Sequence, residues 1–457
     1  MSGRHLVVVG GGIAGLAAAW EATGRGWSVT VLEERDEPGG KLRTTDFLGR
    51  PVDEGADAFL RRVPDALALC AEVGIEQFRS PAATRAMVWL DGSLRRFPEP
   101  SVMGVPLDPD APATVELIGD SGRDHLAAER TLPGLPIVHD VAVGPFLRER
   151  LGPEVADGLV GALLGGIAAG DPERMSLECA APQLAAAARR GPSLLEALAD
   201  TPRSPGAVFA APLGGMQQLP RAVASALAGR GVQIRTRATV EAVEPAGRSW
   251  RVHLAGGGDV EGDAVVLATP APAASALLSE VGAETAATLR SFDHASVVLV
   301  TLGYRRSDVD LDPELSGFVV PRRSGLRVTA ASWGSSKWPD WADPDHHVLR
   351  VSMGHRDDPR AVDLDDDDVV ARIVRDLETA MGLRADPLAV RISRWRRGFL
   401  QQDVGHVARV DELERTTDRE LPGLALCGAG LRGVGIPASI ASGRRAVERV
   451  CVQGSGR

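Results

Sequence analysis

The stretch Gly10-Gly11-Gly12-Ile13-Ala14-Gly15 constrains this chain more than any other feature. The apolar run Leu6 to Val9 before it suits a buried parallel strand, and Ala14 to Thr23 after it suits a helix. In a GxGxxG turn each glycine has its own task. Gly10 permits the tight turn, Gly12 lets backbone approach a pyrophosphate, and Gly15 lets helix and strand pack closely. Free N–H groups at the start of such a helix then bind phosphate. Glycine-rich turns also occur by chance in α/β proteins, so the acid that follows matters. Ser28 to Leu32 reads as the second strand, and Glu33 closes it near the ~20-residue spacing of a ribose-binding carboxylate. Together these specify a dinucleotide-binding βαβ unit.

Glu33, Glu34, Arg35, Gly39, Gly40 and Lys41 then extend the unit as E-x-R-x-x-x-G-G-K. That pattern resembles FAD-binding proteins of the amine-oxidase type rather than plain NAD dehydrogenases, and it implies FAD as cofactor. Near the other end, Leu426 to Pro437 is a glycine-rich turn opening a helix, with Pro437 suited to the first helical turn. Gly428, Val434, Gly435 and Ile436 are the expected contacts there. In proteins of this type such a helix points its positive end at the flavin pyrimidine edge, favouring negative charge on it. Val240 is a candidate for adenine contact through its backbone; a core strand valine is the equally weighted alternative.

The expected fold is α/β: an FAD-binding Rossmann-like (p-hydroxybenzoate-hydroxylase-like) domain, a mixed-sheet substrate domain and an inserted helical domain. Residues 1–60, 205–290 and 385–457 are assigned to the FAD domain, 61–100 and 291–384 to the substrate domain, and 101–204 to the helical insertion. Prolines between residues 100 and 140 mark a loop-rich excursion. Leu147, Leu151, Val155 and Leu159 then recur at helical spacing, and Leu184 to Leu198 looks similar. Strand signals recur from Val232 to Ala268 and from Ala295 to Met353, and the run Asp365 to Asp368 reads as a solvated helix start.

Composition excludes several classes. Net charge is −10, which argues against nucleic acid, and the basic residues are almost all arginine. Cys70, Cys179, Cys427 and Cys451 lie too far apart for a zinc or disulfide framework, and no metal is expected. Arg4 with Leu6 to Trp20 superficially resembles a secretory signal, but glycines occupy the places where leucine belongs. The expectation is a cytoplasmic protein without a transmembrane segment, with peripheral membrane contact left open.

Over nearly its full length the chain resembles the oxygen-dependent protoporphyrinogen/coproporphyrinogen III oxidases of haem biosynthesis. The matching stretches, in order, include Val52-Asp53-Glu54-Gly55, Arg85 to Pro98, Ser101 to Pro106, Phe146 to Gly152, Gly165 to Asp171, Ala268-Thr269-Pro270, Ser332 to Pro339, Val404-Gly405-His406 and Gly433 to Pro437. The resemblance implies non-covalent FAD and six-electron oxidation of a porphyrinogen, with O2 as acceptor and H2O2 as product. The absent membrane segment leans toward coproporphyrinogen III, and a ferrochelatase hand-off is among the expectations. By position in the pattern, Arg85 is the candidate grip on a substrate carboxylate and His406 a candidate catalytic group, although a histidine in a turn more often makes a structural hydrogen bond. Lys337 is expected at the surface and Cys427 in a buried strand.

Two departures stand out. Relatives carry Pro-Gln-Tyr before Val-Gly-His, where this chain has Leu400-Gln401-Gln402-Asp403, and Ala168 takes another tyrosine's place. The alternatives are a protoporphyrinogen IX oxidase, a diverged flavin amine oxidase or desaturase, and a GDP-dissociation-inhibitor-like binding protein. An amine oxidase would need an aromatic cage and a lysine near the flavin. Yet Tyr304 is the only tyrosine, and Ala295 to Thr301 holds no lysine.

Overall fold

A computed structural model describes residues 4–201 and 206–454. Its centre is a five-stranded parallel sheet in the order Gln233–Arg235, Ser28–Leu32, His5–Val9, Ala264–Leu267, Leu424–Leu426. Leu6 and Val8 face one core and Val7 and Val9 the other, which is why this strand is apolar at nearly every position. The first core packs helices Ile13–Gly24, Gln218–Gly229 and Ile436–Gly454; the second packs an antiparallel sheet of Val240–Ala246, Ser249–Leu254 and Asp259–Gly262. From His5–Val9 the chain steps outward to Ser28–Leu32, and Ala264–Leu267 later joins on the other side. Such a switch point opens a crevice beyond the carboxyl ends of the strands.

Beside this domain lies a seven-stranded mixed sheet in the order Ala389–Leu400, His294–Arg305, His346–Met353, Val328–Trp333, Leu315–Val319, Arg85–Leu90, Ser93–Arg96. Helix Asp366–Met381 covers one face, laying Val369, Ile373 and Leu377 on Val298, Val300 and Leu302. Asp365 caps it, accepting from the Asp368 N–H at 2.7 Å, as the acidic run implied. The other face turns toward the helical insertion, whose core holds Leu147, Leu151, Val155 and Leu159, all buried as their spacing required.

Several boundaries differ from the sequence expectation. The proline-rich stretch holds a helix, Pro112–Ala128, with Pro112 in its first turn and a break at Gly119 (φ 69°). A proline there starts a helix because its missing N–H has no intrahelical partner to lose. Leu184 to Leu198 is two helices, Pro182–Ala188 and Leu194–Ala199, separated at Gly191-Pro192. Strand Ala389–Leu400 pairs along His294–Arg305, so residues 389–400 belong to the substrate sheet, not the FAD domain. Conversely, helix Pro64–Glu72 buries Ala66, Leu69 and Cys70 in the first core of the FAD domain. Among the described residues no helix is long and apolar enough to cross a membrane.

Candidate cofactor and substrate site

The parallel sheet delivers the glycines, Glu33 and Thr269 to one end, because each follows the carboxyl end of a strand. Gly10 has φ +103°, and a Cβ on it would stand 2.9 Å from Ala268 O. On Gly15 a Cβ would stand 2.0 Å from Gly10 O and 3.1 Å from Ala268 Cβ, so helix and strand touch through backbone. The second glycine turn stacks on the first: Gly39 N–H donates to Gly11 O at 2.9 Å, and Gly40 has φ +60°. Above Gly12 the space is open, since a Cβ there would meet only Gly40 Cα at 4.0 Å. No side chain caps helix Ile13–Gly24 and its first turn holds no acid. This backbone-lined cradle at the N-terminus of helix Ile13–Gly24 fits a dinucleotide pyrophosphate.

Glu33 is buried beside it, with Oε2 accepting from Gly11 N–H at 2.7 Å and Oε1 from Arg35 N–H at 3.0 Å. Each oxygen keeps a lone pair for a ribose hydroxyl. Arg237 N–H and Ala238 N–H donate to Arg35 O and Glu33 O, both at 2.8 Å, which carries half-buried Val240 to this end of the site. Glu34 and Arg35 are exposed. Glu33→Gln would turn an amide N–H against one backbone donor. A hydrogen bond to a charged group contributes about 1.5–3 kcal/mol, so FAD affinity should fall ~10–100-fold in a fluorescence titration.

The second half of the cradle follows Leu424–Leu426. Cys427, the first residue past the strand, donates its N–H to Leu267 O at 2.9 Å, and burial pushes its thiol up to about 12, so it is inert. Gly428, Gly430, Gly433 and Gly435 have φ between +94° and +143°, a path other residues rarely take. Among the described residues, buried Thr269 Oγ1 nearby has no partner, as expected of a group that meets a ligand. What seats this turn on the first cradle was not visible in the sequence. A Cβ on Gly443 would stand 2.1 Å from Ala14 O, so the first and last helices meet backbone to backbone.

His406 is buried against Phe292, with ring centroids 5.5 Å apart, and its Nε2 lies 2.9 Å from both Gly430 O and Leu431 O. Two carbonyl neighbours assign the proton to Nε2. Burial lowers its pKa, and among the described residues Nδ1 has no partner, both of which favour the neutral ring. It is a structural histidine and offers no proton to a cleft.

The cleft wall comes from the sheet face opposite helix Asp366–Met381. Ala169, Ala295 and Val297 form a buried patch with half-buried Leu299 and Phe399. Helix Gly161–Ala168 lies over the same face, Gly166 placing a Cβ position 3.5 Å from Val319 Cγ1 and Ala330 Cβ. Lys41 Nζ donates to Gly398 O and sits 5.7 Å from the Phe399 ring centroid; burial lowers its pKa. Trp395 packs against Gly55, where a Cβ would lie 3.3 Å from the indole and 2.3 Å from Lys41 O. The patch at Leu299 and Phe399 is therefore apolar, with Lys41 as a cation at the cradle's edge and polar Ser352 and Ser393 beside Leu299 on the same face.

Two residues fall elsewhere than expected. Arg85 pairs in register with Leu315, and shares a face with Met87 and Trp89, which pack in the core of helix Asp366–Met381. Val88, on the alternate face, meets the helical insertion. Arg85 is thus on the outer face, exposed, with its guanidinium held by Glu99 (3.1 Å) and Glu314 (3.2 Å), and does not reach the cleft wall. Lys337, expected at the surface, instead lies 3.0 Å from Asp57. Burial alone would raise the Asp57 carboxyl, but Lys337, Arg350 at 3.4 Å and the Trp338 N–H hold it well below the usual carboxylate range. Those pairings bridge the two sheets and are invisible at sequence separations this long. The two departures from the resembled pattern meet in space, because Gln401 Nε2 donates to Ala168 O at 3.3 Å.

Comparison with known proteins agrees with this geometry. Residues 13–451 match the family described as flavin containing amine oxidoreductase. A coproporphyrinogen III oxidase of Bacillus subtilis is 31% identical, covering 97% of each chain. One from Mycobacterium tuberculosis H37Rv is 34% identical, covering 98% of each. The crystal structure of a "Putative protoporphyrinogen oxidase" from Exiguobacterium sp. 255-15 superposes with a TM-score of 0.89 at 29% identity, over 100% of both chains.

Proposed function

Because this chain belongs to the flavin-containing amine oxidoreductase family and is an FAD-dependent oxidoreductase, we propose that it oxidises coproporphyrinogen III to coproporphyrin III. The balance is six electrons and six hydrogens passed to three O2, giving three H2O2. The observation that carries this reading is the end-to-end match to coproporphyrinogen III oxidases, helical insertion included. Bound FAD supplies a two-electron acceptor that O2 can reoxidise. Gly10 to Gly15, Gly39, Gly40 and Glu33 would hold its pyrophosphate and ribose, Val240 would contact the adenine, and the turn Gly428 to Ile436 would hold the flavin end.

The protein's own task is to position a flat macrocycle and exclude water. The patch of Leu299, Phe399 and Val297 suits a large apolar ring, with Lys41 beside the Phe399 ring. Neutral, buried His406 supports that division of labour. A protoporphyrinogen IX substrate would have two carboxylates fewer. An amine oxidase is disfavoured, because strand His294–Arg305 holds no lysine and buried Tyr304 packs in the core of the opposite face. A cytoplasmic location and hand-off to a ferrochelatase are part of the same reading.

Anaerobic mixing of the purified yellow protein with each reductant tests it. Coproporphyrinogen III should bleach the flavin band fastest. Each lost carboxylate contact costs about 1.5 kcal/mol or more, so protoporphyrinogen IX, which lacks two, should be ~100-fold slower or more in the second-order regime. If neither porphyrinogen outpaces buffer the reading fails, and bleaching by amines alone would transfer the chain to the amine oxidases.

A further inference from the structure

The stretch Leu400 to Asp403 departs from the resembled pattern, which resumes at Val404-Gly405-His406, and the side chains of Gln402 and His406 end on the same glycine turn. Gln402 Nε2 donates to Gly430 O at 2.8 Å, beside the contacts of His406 Nε2 to Gly430 O and Leu431 O at 2.9 Å. Both side chains are buried, at 7% and 1% exposure, so water does not compete for these bonds. The turn closes on itself through Gly430 N–H to Gly433 O at 3.0 Å. In a trans peptide the C=O and N–H point in opposite directions. Fixing the carbonyls of Gly430 and Leu431 therefore fixes the N–H groups of Leu431 and Arg432, and among the described residues neither N–H has an acceptor in the chain.

The segment is held from its other side by the helical insertion. Ser176 N–H donates to Gln402 O at 2.9 Å, Val404 N–H to Arg174 O at 3.0 Å, and Gly405 N–H to Asp140 at 3.3 Å. Arg356, buried, pairs with Asp403 at 2.7 Å. Gln402 and His406 are thus rigidly mounted, which a donor must be if it is to orient something else.

We propose that Gln402 and His406 are positioning residues: by clamping the Gly430 and Leu431 carbonyls they hold the free N–H groups of this turn in the orientation that sets the reduction potential of FAD. The inference rests on the FAD reading. Oriented donors favour the more negatively charged form of a ligand beside them, so loosening them should lower the potential.

Three variants of the holoenzyme decide the matter. Gln402→Met and His406→Phe remove a donor at similar volume, whereas His406→Gln keeps an N–H donor where Nε2 stood. Binding of reduced relative to oxidised FAD should weaken about tenfold in Gln402→Met and His406→Phe, which lowers the potential by about 30 mV for a two-electron couple. The visible flavin spectrum should shift with it, and His406→Gln should stay near the parent chain on both readouts. If His406→Phe does not fold, Gln402→Met and His406→Gln carry the comparison. An unchanged potential in Gln402→Met, whatever happens to Tm, overturns the proposal, as does an equal loss of affinity for both redox forms. A colourless parent chain would overturn the FAD reading instead.

Discussion

A Gly443→Val chain is expected to purify colourless, with FAD affinity down by ~100-fold or more and Tm lower by roughly 5 °C. The reason is local and steric. A Cβ at residue 443 falls 2.1 Å from Ala14 O and 3.1 Å from Ala18 N, and both are backbone atoms that no rotamer change can move. Helix Ile436–Gly454 must therefore withdraw from helix Ile13–Gly24, at a cost of about 3 kcal/mol, the upper end of ordinary overpacking. Withdrawal also separates the Gly10–Gly15 cradle from the turn at Gly428 to Gly435, and a dinucleotide spanning both loses simultaneous contact. Arg445→Ala, two residues along and exposed, is the matched control and should keep its flavin. Flavin absorbance per chain and a thermal melt check both halves. Stoichiometric FAD in Gly443→Val would mean that the helix contact does not join the two halves of the site.

The cradle was legible in the sequence because its constraints are local. Gly10, Gly12 and Gly15 answer to one turn and one helix start, and Glu33 sits at the end of the next strand, so spacing alone carries the geometry. The buried stripe Leu147, Leu151, Val155 and Leu159 was legible for the same reason. Gly443 was not, since nothing within its own helix requires glycine; the requirement comes from Ala14. Lys337 looked like a surface lysine because Asp57, which two cations keep charged despite its burial, is far away in sequence. Arg85 is a different kind of miss. Met87 and Trp89 lie at alternate positions from it, and strand periodicity alone assigns all three to one face. Following the family pattern obscured that simpler signal. Pro112 misled in the opposite direction, because proline both breaks helices and starts them.

The second large effect is expected in the helical insertion, at Glu129. Its carboxylate is fully buried and joins three elements: Oε1 accepts from Arg150 Nε at 3.0 Å and Leu194 N–H at 2.8 Å, and Oε2 accepts from Ser193 Oγ at 2.7 Å and Leu195 N–H at 3.3 Å. Glu129→Leu leaves the Arg150 guanidinium buried with only the carbonyls of Leu132, Pro133, Glu129 and Pro192, and should cost about 3–5 kcal/mol. Glu129→Leu with Arg150→Met removes both charges, so the double variant should be more stable than the single one. The pH dependence has a definite sign. Burial raises the Glu129 carboxyl, but Ser193, Arg150 and the Leu194 and Leu195 N–H groups outweigh it and leave the pKa below its ordinary value. A depressed folded pKa gives stability that is complete above the unfolded value of ~4.3 and is lost as pH falls through the folded one. The parent chain should therefore destabilise more steeply on acidification below about pH 5 than the double variant, in which every other carboxylate is unchanged. Denaturant unfolding at a series of pH values measures the difference, and parallel acid slopes would mean that Glu129 contributes no linkage. Because the same insertion carries helix Gly161–Ala168 over the cleft wall, Glu129→Leu at permissive temperature should raise KM while the flavin band, set by a cradle in another domain, stays in place. Loss of flavin together with the insertion would instead show that the roof and the cradle unfold as one cooperative unit.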